Sequence, residues 1–462
     1  HGSFPSLMET LQGVASRLPR EVRVLLEEAA VRLEDVGELT MRRFEELFGA
    51  LDVFLEENVN GGQRTYAARL RIVDSLRTQP SWDRVEVLWS VAAEPAAVLV
   101  DGLRRLSGGL EELSTVSLPE LDAPRSQMLA INQRLAEVYA QLKTLFEEPS
   151  KDTIYWLEKD YNRGTLSLQS VPLQIGPLVR ESLFKKKKSV VLTSATLRIA
   201  GSFDYSRQRL EAREAAELAV GSPFDYESAV LLYVANDIPE PGRPGYQGTL
   251  ERALLSLFAA TKGRAMALFT SYSQLHATAQ AIAGPLARLG ITVHAQGGGS
   301  SRAQLLANFQ REEKSVLLGT RSFWEGVDIP GDALSCLVMV KLPFDVPDDP
   351  IVAARSEMYE DAFNEYMVPE AILRFLQGFG RLIRTRTDRG VVAVLDGRLL
   401  TKRYGRRFLD SLPGPTVRVG SSQKLAESAA SWLGGKPLPA EPASDEPWSV
   451  PPPEEPDWFW GA

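Results

Sequence analysis

Val316-Leu317-Leu318-Gly319-Thr320-Arg321-Ser322-Phe323-Trp324-Glu325-Gly326-Val327-Asp328-Ile329-Pro330-Gly331 sets a short, wholly apolar run directly against a Gly-Thr step. A strand that is apolar at every position, rather than at every second one, is buried on both faces, which is the habit of parallel sheets covered by helices. The same texture recurs from about residue 188 onward. Ser189–Leu192, Ala229–Val234, Ala265–Phe269, Ile291–His294, Cys336–Val340 and Val391–Leu395 alternate with helix-period stretches. The expectation is an α/β domain with a parallel sheet and helices on both faces. Such sheets bind ligands at the carboxyl ends of their strands, so the residues just after each run are the ones to read for chemistry.

At those strand ends, Gly319-Thr320 offers a hydroxyl and a backbone N–H suited to a phosphate. Asp328 has the reach to bond a ribose hydroxyl or to orient an arginine, with turn capping as the plainer alternative. Trp324 is a candidate to stack on a base, and equally a candidate for core packing. Thr193-Ser194-Ala195-Thr196-Leu197 clusters small hydroxyls after a run, as a switch between domains or simply a hydroxyl-stabilised turn. In Phe269-Thr270-Ser271-Tyr272, Ser271 is placed to cap the following helix, a geometry that also suits a phosphate contact. Asp396 with Arg398 reads as a structural ion pair.

The strongest local signal is Gln377-Gly378-Phe379-Gly380-Arg381-Leu382-Ile383-Arg384. On a helix Gln377, Arg381 and Arg384 stand at i, i+4 and i+7 and point the same way, while Ile372, Leu376, Phe379 and Ile383 face a core. Two guanidiniums and an amide together make a clamp for phosphate oxygens. Gly378 and Gly380 each cost a helix ~1 kcal/mol relative to Ala, so something is expected to approach the backbone closely.

The chain has 462 residues, enough for about three domains at roughly 150 residues each. With 52 Lys and Arg against 60 Asp and Glu, its charge of -8 excludes a polycationic coat but leaves room for a local basic groove. No apolar run approaches the ~18 residues of a membrane helix. One cysteine, Cys336, and three histidines leave no material for a disulfide scaffold, a cysteine-ligated cluster or a zinc site, and the composition reads as cytoplasmic. Residues 1–150 read as mostly helical, with Met41, Phe44, Leu47, Phe48, Leu51, Phe54 and Leu55 on one face and Met128, Leu135, Val138, Leu142 and Leu145 on another. Tyr66–Ile72 and Val85–Val91 are candidate strands, and Asn58–Gly62 a turn. Residues 436–462, with eight prolines and six acidic residues, read as a disordered tail whose Trp458-Phe459-Trp460 is a candidate protein-partner peptide.

In their order, these segments resemble the later motifs of the XPD/DinG-like DNA helicases of superfamily 2, over about residues 150–412. Thr193–Leu197 is similar to the family's motif III, Phe269–Tyr272 to motif IV, Gly319–Gly331 to motif V and Gln377–Arg384 to motif VI. The Phe-Trp-Glu-Gly and Gly-Phe-Gly-Arg forms point to the bacterial DinG branch. The resemblance implies a RecA-like sheet preceded by an arch-like helical insert over 1–150, the end of a first lobe over 151–200 and a second lobe over 201–435. It implies an ATP-dependent enzyme that translocates on single-stranded DNA and unwinds duplexes, including forked DNA, in repair or replication.

By the same resemblance, Arg384 and Arg381 would meet the ATP γ-phosphate, Arg384 being the better candidate for the finger, and Gln377 would position the attacking water. Asp328, Gly326, Glu325 and Gly380 would line the nucleotide. Thr270, Ser271, Gly319, Thr320, Arg321 and Trp324 would hold single-stranded DNA, and Thr193, Ser194 and Thr196 would couple the two. The departure is that no G-x-x-x-x-G-K-[ST] and no D-E-x-H occurs. The groups that hold ATP and Mg2+ would lie upstream, so the chain is expected to be the C-terminal part of such an enzyme and ATPase-inactive alone. An iron–sulfur cluster is not supported here, and its ligands would lie upstream as well. A non-catalytic nucleic-acid-binding regulator derived from a helicase is the alternative, with a nuclease activity located upstream as a third reading.

Overall fold

The computed structural model describes residues 20–59, 67–114, 122–324, 329 and 333–438. Two units divide the chain, one of residues 1–173 with 348–354, the other of 174–347 with 355–462.

In the first unit three long helices, α1 (Arg20–Asn58), α2 (Pro80–Ser114) and α3 (Asp122–Glu147), pack against a small antiparallel sheet. That sheet has the order β1 (Ala67–Arg71), β2 (Thr153–Asp160), β3 (Thr165–Pro172). The expected face of α1 is buried where it matters: Leu47, Leu51, Phe54 and Leu55 are at 0% exposure. Aromatic rings close this core, with Phe54 edge-on to Trp82 at 5.1 Å and Phe146 stacked on Trp89 at 4.9 Å. Gly102 is required in α2 because a Cβ there would stand 2.6 Å from Leu33 Cδ2 of α1. Three expectations change. Val85–Val91 belongs to α2 and is no strand, its Val85 and Trp89 recurring at helical spacing into the core. Residues 153–172, expected in a first lobe, form a hairpin that zips onto β1 from Ala67↔Asp160 to Arg71↔Trp156, so the helical unit runs on to Leu173. Residues 348–354 join it from far along the chain, with Asp349 paired to Arg69 at 2.6 Å. The proposed turn falls mainly on residues outside the described ones, as does nearly all of the acidic tail.

The second unit is built on seven parallel strands: β4 (Val230–Ala235), β5 (Ala265–Leu268), β6 (Thr292–Ala295), β7 (Ser315–Gly319), β8 (Cys336–Met339), β9 (Gly390–Val394) and β10 (Thr416–Gly420). Their order is β10-β4-β9-β8-β5-β7-β6, and each adjacent pair is parallel. On one face Leu231, Tyr233, Ala267, Val316 and Val338 meet α4 (Tyr246–Ala260), α5 (Tyr272–Ala287) and the C-terminal helix Ser422–Leu433. On the other, Leu232, Met266, Leu317, Met339 and Val392 meet α6 (Arg302–Arg311) and α7 (Val368–Phe379). Alternate residues of one strand thus feed opposite cores, which is why the runs are apolar throughout. This is the RecA-like parallel sheet that the sequence led one to expect. Ser189–Leu192 is the exception: it carries no strand, and Val191 is 84% exposed. A strand forms only where a neighbour takes its N–H and C=O groups, and among the described residues none lies beside it.

Cys336 sits inside β8 at 0% exposure, and burial pushes its thiol up to about 12. The folded protein should therefore resist iodoacetamide in mildly alkaline buffer and react promptly in denaturant. Rapid labelling without denaturant would show that β8 is not the sheet centre described.

Candidate nucleotide and nucleic-acid sites

A cavity of about 1620 Å³ opens in the second unit, and two of the sequence motifs meet in its wall. Thr193, Ser194 and Thr196 line it together with Gln377, Gly380 and Arg381. The hydroxyl segment folds as a side-chain-stabilised turn, with the Thr196 N–H donating to Ser194 Oγ at 3.1 Å and the two hydroxyls 3.2 Å apart. Turn formation and exposure to the cavity go together here. Gln377 Oε1 is buried and accepts no hydrogen bond, a cost that a ligand or water in the cavity would relieve.

The helical clamp itself needs correction. α7 stops at Phe379, with Gly380 as its C-cap, so Arg381 and Arg384 lie in the turn beyond it and not at i+4 and i+7 of one helix. The glycines are the reason, since they withhold helix propensity at the last turn. Arg381 is half-buried and its Nε donates to the Trp324 carbonyl at 3.2 Å. Arg384 is half-buried but does not line the cavity, and its backbone N–H donates to Asp388 Oδ2 at 2.7 Å. Burial disfavours the charge on Asp388, yet bonds from Thr385 and from the backbone of Arg384 outweigh it and keep that carboxyl below its usual range. Of the two arginines the cavity presents Arg381.

What approaches the backbone of α7 is a side chain, not a phosphate. A Cβ on Gly378 would stand 2.9 Å from Trp324 Cε3 and 3.0 Å from Met339 Cε. Trp324, at 2% exposure, is packed into the core, so its proposed stacking on a base is overturned because no ring face is open. Glu325, Gly326 and Asp328, expected at the nucleotide, lie outside the described residues.

The nucleic-acid candidates gather at the carboxyl ends of β5 and β7, which are neighbours in the sheet. Ser271 caps α5 by accepting from the Gln274 N–H at 3.3 Å, and Thr270 beside it is exposed. Gly319 ends β7 where a Cβ would collide with the Phe323 ring at 2.6 Å. Thr320, at 5% exposure, gives both its N–H and its hydroxyl to Gln296 Oε1, at 2.8 and 2.9 Å. Arg321 is open to solvent and reaches Asp345 Oδ1 at 3.1 Å.

Asp345 begins a chain of charges that motif reading missed. It also pairs with Arg374 of α7, whose other partner is Glu370 at 3.8 Å, and Glu370 accepts the Tyr205 hydroxyl at 2.6 Å. Burial first, and the Glu370 carboxylate second, raise the Tyr205 phenol above its usual range. The i, i+4 spacing of Glu370 and Arg374 was the one sequence signal for it. Elsewhere, Asp396 and Arg398 form the buried pair expected, at 2.6 Å, and Asp396 also accepts the Leu342 N–H.

Replacing Gly378 by Ala adds helix propensity of ~1 kcal/mol but overpacks the Trp324 contact, which costs about 1–3 kcal/mol. The Gly378→Ala protein should have a lower urea midpoint than wild type. A raised midpoint would mean that Trp324 yields freely.

Residues 254–414 match the helicase C-terminal domain family. The chain is 39% identical over 294 residues to the ATP-dependent DNA helicase YoaA of Haemophilus influenzae, covering 63% of this chain and 45% of that protein. It is 32% identical over 356 residues to the 3'-5' exonuclease DinG of Bacillus subtilis, covering 73% and 38%. With the ATP-dependent helicase DinG of Mycobacterium tuberculosis the identity is 37% over 276 residues, covering 57% and 41%. The chain thus spans less than half the length of these relatives. Among solved structures, an apo XPD chain aligns with a TM-score of 0.47 and 16% identity over 82% of this chain and 69% of that one. The Xpd4 structure of S. tokodaii gives 0.49 and 14% over 89% and 74%. Residues 254–414 thus carry a helicase C-terminal domain, and the chain is similar to part of the bacterial DinG and YoaA proteins.

Proposed function

We propose that this chain is the second-lobe portion of a cytoplasmic ATP-dependent DNA helicase that moves along single-stranded DNA and opens duplexes, forks included, in repair or replication. One observation carries the reading: the hydroxyl turn Thr193–Thr196 and the Gln377–Arg381 segment line the same cavity. Hydrogen-bond donors and a guanidinium converging on one space suit a polyphosphate. The bare Gln377 Oε1 fits an attacking water or a phosphate-bound one. ATP would bring a terminal phosphate whose transfer to water drives the cycle. Toward it, Arg381 would supply positive charge, Gln377 would orient the water, and Thr193, Ser194 and Thr196 would report occupancy to the neighbouring segments.

No group of three or more His, Cys, Asp or Glu stands together among the described residues; Mg2+ would arrive with ATP, held by its phosphates, water and one or two carboxylates. Its holding groups, and a P-loop, belong to the remainder of the enzyme in this reading. The strand ends of β5, β6 and β7 would grip DNA phosphates, and the Arg321–Asp345–Arg374–Glu370–Tyr205 chain leads from that grip to Tyr205, next in sequence to the cavity-lining Ser206. Val191, Leu192, Leu218 and Val220 are exposed in segments without strand partners, which fits elements that complete another lobe.

In the complete enzyme, Arg381→Ala and Arg384→Ala should be compared. The one that removes the arginine finger should lose about 10³–10⁵ in ATP turnover with single-strand affinity nearly unchanged. Half-normal turnover in both variants would remove the finger from this region altogether. This chain alone should hydrolyse no ATP with or without single-stranded DNA. Clear DNA-stimulated hydrolysis by it would refute the division of labour proposed.

A further inference from the structure

We infer that Gln296 is a positioning residue for nucleic acid: it aims the hydroxyl protons of Tyr272 and Ser322 at a backbone phosphate and withdraws Thr320 from that task. The inference rests on the nucleic-acid reading above and assigns the donors within it.

Gln296 directly follows β6 and is held there by its own N–H, which donates to the Leu318 carbonyl at 3.0 Å. Its side chain makes four hydrogen bonds, the full capacity of a carboxamide in this setting. Oε1 accepts from the N–H and the hydroxyl of Thr320, at 2.8 and 2.9 Å. Nε2 donates to Tyr272 OH at 2.8 Å and to Ser322 Oγ at 3.0 Å. The orientation of the amide is not arbitrary. A backbone N–H can only donate, so the atom facing Thr320 must be the oxygen, and the NH₂ must face Tyr272 and Ser322.

Proton directions follow. A carbonyl oxygen only accepts, so the Thr320 hydroxyl spends its single proton on Gln296, as does its N–H. Tyr272 and Ser322 receive a proton from Gln296, which leaves their own protons to give. Among the described residues neither hydroxyl has another acceptor. Tyr272 is 42% exposed, whereas Thr320 is 5% exposed. The exposed Tyr272 and the half-buried Ser322 therefore stand just past the carboxyl ends of β5 and β7, and Ser322 adjoins in sequence Arg321, which is 68% exposed. Neutral hydroxyl donors beside one cation suit the singly charged phosphodiester of a single strand.

Two further contacts hold this arrangement. The Tyr272 ring stacks on His276 at 6.4 Å and 24°. Gly297, at φ +97°, passes so close that a Cβ would stand 2.7 Å from His276 Nε2. The bend after Gln296 thus needs glycine both for its dihedral and for its clearance.

The test measures binding of a fluorescein-labelled oligothymidylate to the chain by anisotropy, with thermal midpoints recorded alongside. Tyr272→Phe and Ser322→Ala should each weaken binding by about fivefold to tenfold, since each removes one hydrogen bond to a charged acceptor at an exposed site. Thr320→Val should change it by less than about twofold. Gln296→Met, which keeps length without polar atoms, should weaken binding about tenfold in the wild-type background. It should have little further effect once Tyr272→Phe and Ser322→Ala are present. The dependence on salt should keep its slope, because no ionic contact is lost. Loss of folding alone would lower the midpoint and weaken binding equally in every background, which overturns the inference. So would a dominant effect of Thr320→Val. If wild-type protein binds no oligonucleotide at all, the nucleic-acid reading fails and takes the inference with it; additive variants in a protein that does bind sink the inference alone.

Discussion

The close approach of Trp324 to the backbone of α7 at Gly378 is the constraint on which the second unit turns. It seats the turn after β7 against the helix that leads to Arg381, and the Trp324 carbonyl then accepts from Arg381 Nε. One side chain thereby fixes two segments that in sequence are 57 residues apart. A bulkier residue at 378 would lift Trp324 out of a core it shares with Met339, Phe375 and Phe379, and the guanidinium would lose its anchor. Packing of Trp324 thus helps set where the arginine stands.

Charge does its work one layer out. Arg374 and Asp345 are 12% and 13% exposed, so their pair is largely withdrawn from water, with Glu370 and Arg321 as the second partner of each. Arg321 at one end of the chain is 68% exposed and adds little to stability. In the nucleic-acid reading proposed, it would exchange Asp345 for a phosphate, a move that the more buried members would feel through Arg374 and Glu370. In this arrangement rigidity and responsiveness sit at opposite ends of one network.

The sheet was legible in the sequence because five of its strands are short, largely apolar runs buried at every position, the pattern of two-sided burial. β10 was not, since Thr416-Val417-Arg418-Val419-Gly420 alternates as an edge strand does and its burial is partial. β3 was hidden by a similar alternation, and β2 by pairing with a strand more than 80 residues earlier. Reading Gln377, Arg381 and Arg384 as one helical face assumed that the helix survives two glycines, and it does not. Trp324 could not be assigned from composition, because stacking on a base and packing in a core ask for the same ring. Gln296 carried no motif at all; its one signal was its place between a strand and Gly297-Gly298-Gly299, where the backbone has to bend.

The segments around Val191 and Val220 have a practical side. They put Val191 at 84%, Leu218 at 81% and Val220 at 80% exposure, beside backbone that no strand covers. Bare β-branched and aliphatic side chains next to unclaimed amides are adhesive toward their own kind. A preparation of this polypeptide on its own would have to be kept dilute, or shielded by a covering polypeptide, to stay out of fibrous or amorphous precipitates. The same stickiness is an asset once the right surface closes over it.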